Sequence, residues 1–585
     1  MSEQPLGVTR VDIEQIAGSR SRARREDFSA SFYPLLDENS EFAAKWSALA
    51  ASHLKEGIRE PIVAVEYLNR YYVVEGHKRV SVLRYFGAVT VRAEVRRVLP
   101  ARSEEPEIAA YYEFLDFYRL TAVNYIVFRT PGRYPALREL LCGDDPSPWD
   151  GDRQRSLFSD VMRFRRAFRA SELSGKLSQD EALLRYLQIY GYAHLQARTP
   201  NELKADLAAI APELLSVGDK AAPVLMTAPA APPRDILKRI VHPPLHSLKA
   251  AFLHDKSPEN SPWTRSHELG RLAAQEALAG RVETCSFFHM LQEDFEARVK
   301  ELAEEGYDLF FSTSPRLLAP TLTAAAAWPE LKFLNCSLNV SHPLLRCYYG
   351  RMYEAKFLTG MIAGATSENG QIGYVCDYPI YGMPASVNAF ALGARAVNPS
   401  ARIYLRWSTV QDGGAEADFA GEDVRVVSEW SGLYPIGRRD GDAALAASRW
   451  DWGCFYRKLL ESVLDGSWST LNSTSEAGQS INYWWGLSVG VVDMTCGPAL
   501  PAETRRLASF LRERIADGSF PPFEGPVYDQ SGTLHIAPGE IPSPERILHM
   551  DWLADNVVGS FPRPEELTPD ARELVRIQGF SFRSP

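Results

Sequence analysis

The segment 348–407 alternates between helical and strand-like spacing of its apolar residues. Apolar side chains recur every four residues over 353–361, which predicts a helix, and a short apolar run at 372–376 predicts a strand. The same pair repeats as a helix over 385–397 and a strand beginning at 403–405. Strands that alternate with helices form a parallel sheet with helices on both faces. The segment therefore predicts an α/β domain.

The first of these helices carries the small residues Gly360, Ala363 and Gly364. Because small side chains permit a close backbone approach, we expect this helix to lie very close to a sheet. Beyond the first strand come Tyr378 and Pro379. Ligands of parallel α/β sheets bind beyond the carboxyl ends of the strands, so these two residues are candidates for ligand binding.

Polar residues also follow two strands predicted earlier in the chain, at 248–253 and 307–311. The candidate binding residues after these strands are Asp255, Ser257, Trp263, Ser312 and Ser314. A carboxylate at such a position accepts hydrogen bonds from ribose hydroxyls or from a protonated ligand, and hydroxyl side chains suit a polar rim. The alternative is that these Asp and Ser residues cap the helices that follow.

The first hundred residues predict a small α/β domain with a possible anion site. Strands at 62–65 and 71–74 are followed by the helix start Gly76-His77-Lys78-Arg79. Helix N–H groups and an Arg side chain together favour a phosphate or another anion. The alternative is that Gly76 caps the strand and that Lys78 and Arg79 face solvent.

Residues 101–219 have helical periodicity and are interpreted as a helical middle domain. This domain serves either for dimerisation or as a spacer, so a homodimer is one of two alternatives. Aromatic residues alternate there with Arg163, Arg165, Arg166 and Arg169. Such a pattern either stacks on nucleic-acid bases or forms a core stripe with a charged outer face, and the core stripe is favoured. The Ala/Pro-rich segment 220–240 predicts a linker to a last domain at 241–585.

Composition narrows the class of protein. A length of 585 residues favours about three domains, and a net charge of −10 argues against a general polyanion binder. The seven cysteines include no C-x-x-C pair, and residues 1–27 have no apolar signal-peptide core, so a cytoplasmic location is expected. No catalytic motif or metal-ligand spacing is present, which favours a binding protein without cofactor or metal over an enzyme.

An ordered series of residues in the segment 348–407 resembles the Bmp (basic membrane protein, PnrA-like) solute-binding family. The matching residues are Tyr349-Gly350, Gly360, Ile372-Gly373-Tyr374-Val375, Pro379-Ile380, Asn388, Phe390, Gly393-Ala394, Asn398-Pro399 and Trp407. The resemblance implies a two-lobed type 1 periplasmic-binding-protein fold. Lobe 1 is then expected at about 245–345 and 480–540, and lobe 2 at about 346–479. Asn388 and Trp407 become further candidates for ligand contact.

The resemblance also implies a nucleoside-like ligand and a changed pocket. In the family, an Asp contacts the sugar of a nucleoside where this chain has Arg439, with Asp440 one residue later. A family Lys near the ligand is replaced by Asp451, which precedes Trp452. These four residues are candidates for ligand binding, and the reversed charges imply a changed ligand. The alternative is a purely structural ion pair between Arg439 and Asp451.

The order of residues over 61–87 is similar to the ParB/sulfiredoxin-like fold, which implies nucleotide or DNA as a partner of the turn Gly76-His77-Lys78-Arg79. Together these features predict a cytosolic sensor or regulator that binds a nucleoside- or purine-like molecule and reports it through the ParB-like domain. The alternatives are the substrate-binding component of a Bmp-type ABC transporter and a nucleotide-using enzyme. A last helix is predicted at 546–558.

Overall fold

The chain forms two compact units, Met1–Ala208 and Ala209–Pro585. The computed structural model describes residues 2–20, 27–103, 105–143, 147–215, 224–230, 245–290, 292–338, 342–411, 424–426, 432–435, 444–474 and 480–579.

Unit 1 contains a five-stranded sheet of order β1-β5-β3-β4-β2. The strands are β1 Ser2–Asp12, β2 Ile16–Ser19, β3 Ile62–Tyr67, β4 Arg70–Glu75 and β5 Thr90–Leu99. Val91, Ala93 and Val95 of β5 alternate with exposed residues and are buried, because successive side chains of a strand point to opposite faces. The sheet segment also includes the helices α1 Glu41–Glu56 and α2 His77–Tyr85.

The second half of unit 1 is helical. Its helices are α3 Pro106–Thr121, α4 Arg133–Cys142, α5 Gly151–Arg169, α6 Gln179–Tyr190, α7 Tyr192–Ala197 and α8 Pro200–Ala209. Buried Arg165 of α5 joins the helices to the sheet, since it donates to Asp12 Oδ2 (2.9 Å) and to Asp180 Oδ1 (2.8 Å). Removing Arg165 would leave two buried carboxylates without their cation.

Unit 2 contains two seven-stranded sheets, which define two lobes. The lobe 1 sheet has the order β6-β17-β11-β10-β9-β7-β8, and all its pairings are parallel. Its strands are β6 Val224–Met226, β7 Leu248–Leu253, β8 Val282–Phe287, β9 Leu309–Ser312, β10 Lys332–Asn335, β11 Arg346–Gly350 and β17 Ile481–Trp485. The carboxyl ends of these strands meet at one edge, which is where Asp255 and Ser314 lie.

The lobe 2 sheet has the order β18-β16-β15-β14-β12-β13-β21. Its strands are β12 Gln371–Cys376, β13 Arg402–Trp407, β14 Val424–Val426, β15 Gly432–Pro435, β16 Ala446–Trp450, β18 Val492–Cys496 and β21 Val557–Val558. A separate hairpin pairs β19 Val527–Tyr528 with β20 Leu534–Ile536. Strands β12, β13, β14 and β21 are parallel, whereas β15, β16 and β18 pair antiparallel.

The described helices of unit 2 are α9 Ala211–Leu215, α10 Pro262–Ala277, α11 Gln292–Glu304, α12 Leu318–Ala327, α13 Met352–Thr366, α14 Met383–Val397, α15 Trp452–Leu464, α16 Ser467–Thr474, α17 Ala502–Ala516, α18 Pro544–Leu548 and α19 Pro569–Gln578. The chain crosses between the lobes after β11, after β16 and after β17. The prediction of an α/β fold with parallel sheets and flanking helices in two lobes is confirmed.

Helices α13 and α14 pack unusually closely. A Cβ at Gly360 would overlap the carbonyl oxygen of Phe390, and a Cβ at Gly393 would overlap the carbonyl oxygen of Phe357. The close approach expected at Gly360 is therefore to the next helix rather than to a sheet. Glycine at these two positions lets the backbones of the helices touch.

The tail of the chain differs from the prediction. A last helix was expected over 546–558, but the helix there is only α18 Pro544–Leu548, and Val557–Val558 is a strand. The last described helix is α19 Pro569–Gln578, which was not predicted. Most of the predicted linker 220–240 lies outside the described residues, and the part that is described includes strand β6.

Candidate functional site

A cavity of about 280 Å³ lies between the two lobes of unit 2. We call it the interlobe cavity. Its lining residues are Asp255, Lys256, Asn260, Ser261, Pro262, Trp263, Ser314, Pro315, Arg316, Tyr349, Asp377, Tyr378, Ile380, Met383, Leu574 and Gln578. The volume is just below the range of about 300–1,000 Å³ that is typical of ligand pockets.

Lobe 1 contributes a carboxylate held by its neighbours. Ser314 Oγ donates to Asp255 Oδ2 over 3.0 Å, and both residues follow parallel strands that share one edge. Trp263 is fixed beside them, because its Nε1 donates to the carbonyl oxygen of Thr313 over 2.6 Å. In the described part of the chain Asp255 forms no ion pair, so its negative charge faces the cavity without a protein cation bound to it.

His254 lies directly before Asp255 and is fully buried. Its Nδ1 lies 2.8 Å from Thr313 Oγ1, and its Nε2 lies 3.8 Å from Glu268 Oε2. Burial lowers the pKa of His254 to about 4, against the opposing charge of Glu268. The residue is therefore a neutral imidazole near pH 7, and it anchors the strand end that carries Asp255.

Lobe 2 contributes Asp377 and Tyr378, which follow β12. Ser408 Oγ donates to Asp377 Oδ1 over 2.6 Å, and Thr409 Oγ1 donates to the Asp377 carbonyl oxygen. Burial raises the pKa of Tyr378, and the negative charge of Asp377 raises it further. Tyr378 is therefore a neutral phenol that can donate or accept a hydrogen bond at neutral pH.

Aromatic rings form one wall of the cavity. Trp263 and Tyr349 are stacked, with centroids 5.9 Å apart and an interplanar angle of 27°. Trp450 and Trp452 pack edge-on against Trp263 at 5.8 and 5.6 Å. A rigid aromatic wall of this kind offers a flat apolar surface to a planar ligand.

Helix α19 reaches across the cavity. Leu574 and Gln578 line it, and Gln578 Nε2 donates to the carbonyl oxygen of Leu338 in lobe 1 over 3.1 Å. Arg316 Nη1 of lobe 1 donates to Glu573 Oε2 of the helix over 3.0 Å. Ala571 and Val575 pack in the core of lobe 2, so the helix connects both lobes at the cavity mouth.

The two lining cations both contact this helix. Lys256 Nζ lies 3.8 Å from Asp570 Oδ2, and Arg316 binds Glu573 and the carbonyl oxygen of Asp570. The carboxylates of Asp255 and Asp377 accept hydrogen bonds from the hydroxyl groups of Ser314 and Ser408, and within the described residues Asp255 forms no ion pair. The cavity therefore favours a ligand that donates hydrogen bonds. The described residues contain no group of three or more potential metal ligands.

Four of the predicted binding residues line the interlobe cavity, namely Asp255, Trp263, Ser314 and Tyr378. Ser257 and Pro379 are buried beside lining residues, and Ser312 Oγ donates to the carbonyl oxygen of Leu334 over 3.1 Å. These three residues do not line the cavity.

The remaining predicted residues of unit 2 lie elsewhere or are not described. Asn388 is buried and donates to the carbonyl oxygen of Trp552 over 2.9 Å, and Trp407 Nε1 donates to that of Ser560 over 2.9 Å. Asp451 caps α15, since its Oδ1 accepts from Cys454 N over 2.8 Å. The next residue, the buried Trp452, stacks on His267 at 4.2 Å. Arg439 and Asp440 lie outside the described residues.

In unit 1, the residues of the predicted anion turn contact protein groups. Gly76 is the N-cap of α2 with φ +93°, and His77 Nε2 lies 2.7 Å from Ser19 Oγ. Lys78 Nζ lies 4.3 Å from the centre of the Phe42 ring. Arg79 Nη1 donates to the carbonyl oxygen of Pro61 over 2.9 Å, and Arg79 also pairs with Glu60.

Several lining residues were not predicted. Asp377 follows the same strand as Tyr378, so the rule of strand ends also applied to it. Arg316 follows Ser314 by two residues, and Tyr349 belongs to the ordered series of the Bmp resemblance. Leu574 and Gln578 belong to α19, and Gln578 contacts Leu338, which lies more than two hundred residues earlier in the chain. No local sequence pattern therefore indicated that these two residues line the cavity.

The two α/β lobes and the cavity between them define a two-lobed unit with a candidate binding site. Residues 247–437 match the Bmp family model, described as ABC transporter substrate-binding protein PnrA-like. A purine-binding protein of Brucella abortus is 29% identical over 341 residues, which are 54% of this chain and 94% of the relative. A putative ABC transporter glucose-binding protein of Haloferax volcanii is 26% identical over 331 residues, 51% of this chain and 82% of the relative. Over these residues the chain is therefore similar to the Bmp/PnrA-like proteins.

Sulfiredoxin from Arabidopsis thaliana is a further solved structure with similarity to this chain. The match has 23% sequence identity and a TM-score of 0.12, and it covers 16% of this chain and 85% of that structure. In the described residues no helix is long and apolar enough to cross a membrane.

Proposed function

We propose that the interlobe cavity binds a purine- or nucleoside-like molecule and that the chain is a cytosolic sensor of this ligand. The observation that carries the proposal is that Asp255 of lobe 1 and Tyr378 of lobe 2 line the same cavity. The printed name of the Brucella abortus relative, a purine-binding protein, supports the choice of ligand class. The presence of a second compact unit in the same chain supports a role in signalling.

The chemistry of the cavity suits such a ligand. The ring of a purine fits against the aromatic wall of Trp263 and Tyr349, whose stacked rings are flat and apolar. Asp255 and Asp377 accept hydrogen bonds from ring N–H groups, amino groups or ribose hydroxyls. Because the ligand then contacts both lobes, its binding shifts the open–closed equilibrium toward the closed state.

The proposed readout is a change in the N-terminal unit, whose order of residues over 61–87 is similar to the ParB/sulfiredoxin-like fold. Closure of the lobes on a ligand can change the N-terminal unit only if the open and closed states interact differently with that unit. Hydrogen exchange of the full chain with and without ligand measures this coupling. Protection in residues 1–208 that changes on ligand addition supports the sensor, and protection confined to unit 2 argues against it.

Ligand class is tested by thermal shift and calorimetric titration with bases, nucleosides, nucleotides and glucose. We expect nucleosides or purine bases to stabilise the chain, because a ligand that binds only the folded state raises the unfolding temperature. No stabilisation by any purine at millimolar concentration would contradict the proposal. Stabilisation by glucose alone would replace the purine with a sugar.

A second candidate is the substrate-binding component of an ABC transporter. The description of the matched family model and the printed name of the Haloferax volcanii relative favour it. Cell fractionation separates the two proposals. Recovery of the protein in the cytosolic fraction alone supports the sensor, and recovery outside the cytoplasm, with ligand uptake lost on deletion, supports the transporter.

A further inference from the structure

Unit 1 contains a cavity of about 830 Å³ that is separate from the residues of the predicted anion turn. Its lining residues are Asp12, Ile13, Glu14, Ser31, Tyr33, Arg84, Gly87, Ala88, Val89, Met162, Arg165, Arg166, Arg169 and Ala170. We call it the arginine-lined cavity. Its walls are the end of β1, the carboxyl end of α2 with the following turn, and the last turns of α5.

Two of the four lining arginines are neutralised by the two lining carboxylates. Arg165 is buried and donates to Asp12 Oδ2 over 2.9 Å. Arg169 Nη2 donates to both carboxylate oxygens of Glu14, each over 2.9 Å. These pairs account for the negative charge that lines the cavity.

The other two arginines keep their charge. Arg84 Nη2 donates to the carbonyl oxygens of Ile13 (3.0 Å) and Ile16 (2.8 Å), which are neutral acceptors. Arg166 is exposed, and within the described residues neither it nor Arg84 pairs with a carboxylate within 4.0 Å. Burial lowers the pKa of Arg84, against the opposing charge of Glu14, but a guanidinium stays protonated in proteins. Two guanidinium groups therefore line the cavity without a carboxylate of the described residues within 4.0 Å.

The rest of the lining is apolar or hydroxylic. Val89 and Met162 offer apolar surface, and Ser31 and Tyr33 offer hydroxyl groups. A volume of about 830 Å³ is that of a pocket for a drug-sized molecule, within the range of about 300–1,000 Å³. Guanidinium forks match the geometry of phosphate oxygens and bind them in pairs.

We propose that the arginine-lined cavity binds a small organic phosphate, with its phosphate or diphosphate group at Arg84 and Arg166 and its apolar part against Val89, Met162 and Tyr33. This site lies in unit 1 and is independent of the ligand proposed for the interlobe cavity. A phosphate bridges the two unmatched cations and replaces solvent there.

The test is calorimetric titration of the full chain with pyrophosphate, ADP and adenosine at low and high salt. We expect pyrophosphate and ADP to bind, ADP more tightly, and both to weaken as salt screens the charges. Adenosine should not displace pyrophosphate. Absence of pyrophosphate and ADP binding at millimolar concentration would overturn the proposal.

The variant Arg166→Glu should weaken the binding of both pyrophosphate and ADP at least about tenfold. The loss of a charged hydrogen bond together with the reversal of a charge costs more than the 1.4 kcal/mol that corresponds to a tenfold change in affinity. The control is Arg155→Glu, which lies on the same helix about 16 Å away and is exposed. Equal weakening by both variants would overturn the proposal, because diffuse charge and not the cavity would then bind phosphate.

A ten-nucleotide single strand separates the small ligand from a nucleic acid. If the oligonucleotide binds through Arg166 while ADP does not, the cavity is part of a nucleic-acid surface and the proposal fails. Arg84→Lys is the second variant, and it keeps the charge but loses the forked geometry. We expect several-fold weaker ADP binding from it, and unchanged binding would exclude Arg84 from the site. If Arg84→Lys does not fold, Arg166→Glu alone decides.

Discussion

The interlobe cavity and the arginine-lined cavity differ in the sign of the lining charge that has no ion-pair partner among the described residues. In the interlobe cavity the cations Lys256 and Arg316 pair with carboxylates of α19, and Asp255 forms no ion pair and accepts from Ser314 Oγ. In the arginine-lined cavity the carboxylates are neutralised by Arg165 and Arg169, and two other guanidiniums keep their charge. The residues that remain after internal pairing indicate the ligand class better than the list of lining residues does.

The two cavities also differ in how they are enclosed. The interlobe cavity lies between separate sheets, and a helix from the tail connects the lobes at its mouth. The arginine-lined cavity lies within one compact unit, between a sheet and a helix that share the buried Asp12–Arg165–Asp180 cluster. We therefore expect ligand to change the shape of the first cavity and to leave the shape of the second unchanged.

The largest expected effect comes from Gly393→Leu, which forces helices α13 and α14 of lobe 2 apart. A side chain there meets the backbone of Phe357 and Met361, and backbone cannot move aside as a flexible side chain can. We expect a loss of about 3 kcal/mol or more in the free energy of unfolding of unit 2, and loss of nucleoside binding. The measurement is chemical denaturation together with titration. Ala365→Leu, exposed on α13, is the control and should change little; equal destabilisation by both would contradict the account.

The next effect is a dependence of stability on pH. His254 is buried with its pKa lowered to about 4 from an ordinary value of 6.5, so the unfolded chain binds more protons between these values. The contribution of His254 to the free energy of unfolding is complete above pH 6.5. This contribution, roughly 3 kcal/mol in total, is lost as pH falls toward 4. The charged groups facing it are Glu268, which raises the pKa, and Arg271, which lowers it.

This pH dependence is measured as the denaturation midpoint between pH 7 and 4. His254→Asn removes the titrating group and should flatten the curve, and His549→Gln, an exposed position, should not. Equal slopes for the native chain and His254→Asn would show that other groups cause the acid sensitivity.

Asp255→Asn tests the carboxylate of the interlobe cavity. It keeps the size of the side chain and removes the charge that accepts from the ligand, so we expect purine or nucleoside binding to weaken at least about tenfold, or about 1.5–3 kcal/mol. ADP binding in the arginine-lined cavity should not change. Asp294→Asn, exposed on α11, is the control. Unaltered nucleoside affinity in Asp255→Asn would place the ligand elsewhere.

The smallest effect is expected from Arg316→Ala, which removes the contacts of Arg316 with Glu573 and Asp570. Half-exposed ion pairs contribute about 0.2–1 kcal/mol, so ligand affinity should fall only a few-fold while ligand dissociation becomes faster. Stopped-flow dissociation measures this. Arg298→Ala, whose pair with Glu301 is on one helix, is the control. A dissociation rate that does not change would mean that α19 does not restrain the lobes.

The α/β core was predictable because its signals are local. The helix and strand over 353–376 follow from residue spacing, and Asp255 and Tyr378 follow from the rule that ligands bind beyond strand ends. The same rule does not distinguish lining residues from their neighbours in the chain. Ser257 and Pro379 also follow strands, but they do not line the cavity.

The role of α19 was not predictable from spacing. Gln578 contacts Leu338 across more than two hundred residues of chain, and such a contact depends on the packing of both lobes. Asn388 illustrates the opposite problem. Its place in the family series made it a ligand candidate, whereas its amide donates to Trp552 and accepts from Ala554, which fixes the tail on α14.

The most direct test of the account is a crystal structure of the full chain with the purine or nucleoside that stabilises it most. The account predicts ligand density in the interlobe cavity, in contact with Asp255 on one lobe and Tyr378 on the other. Ligand bound to a single lobe, or at any surface outside this cavity, would contradict it.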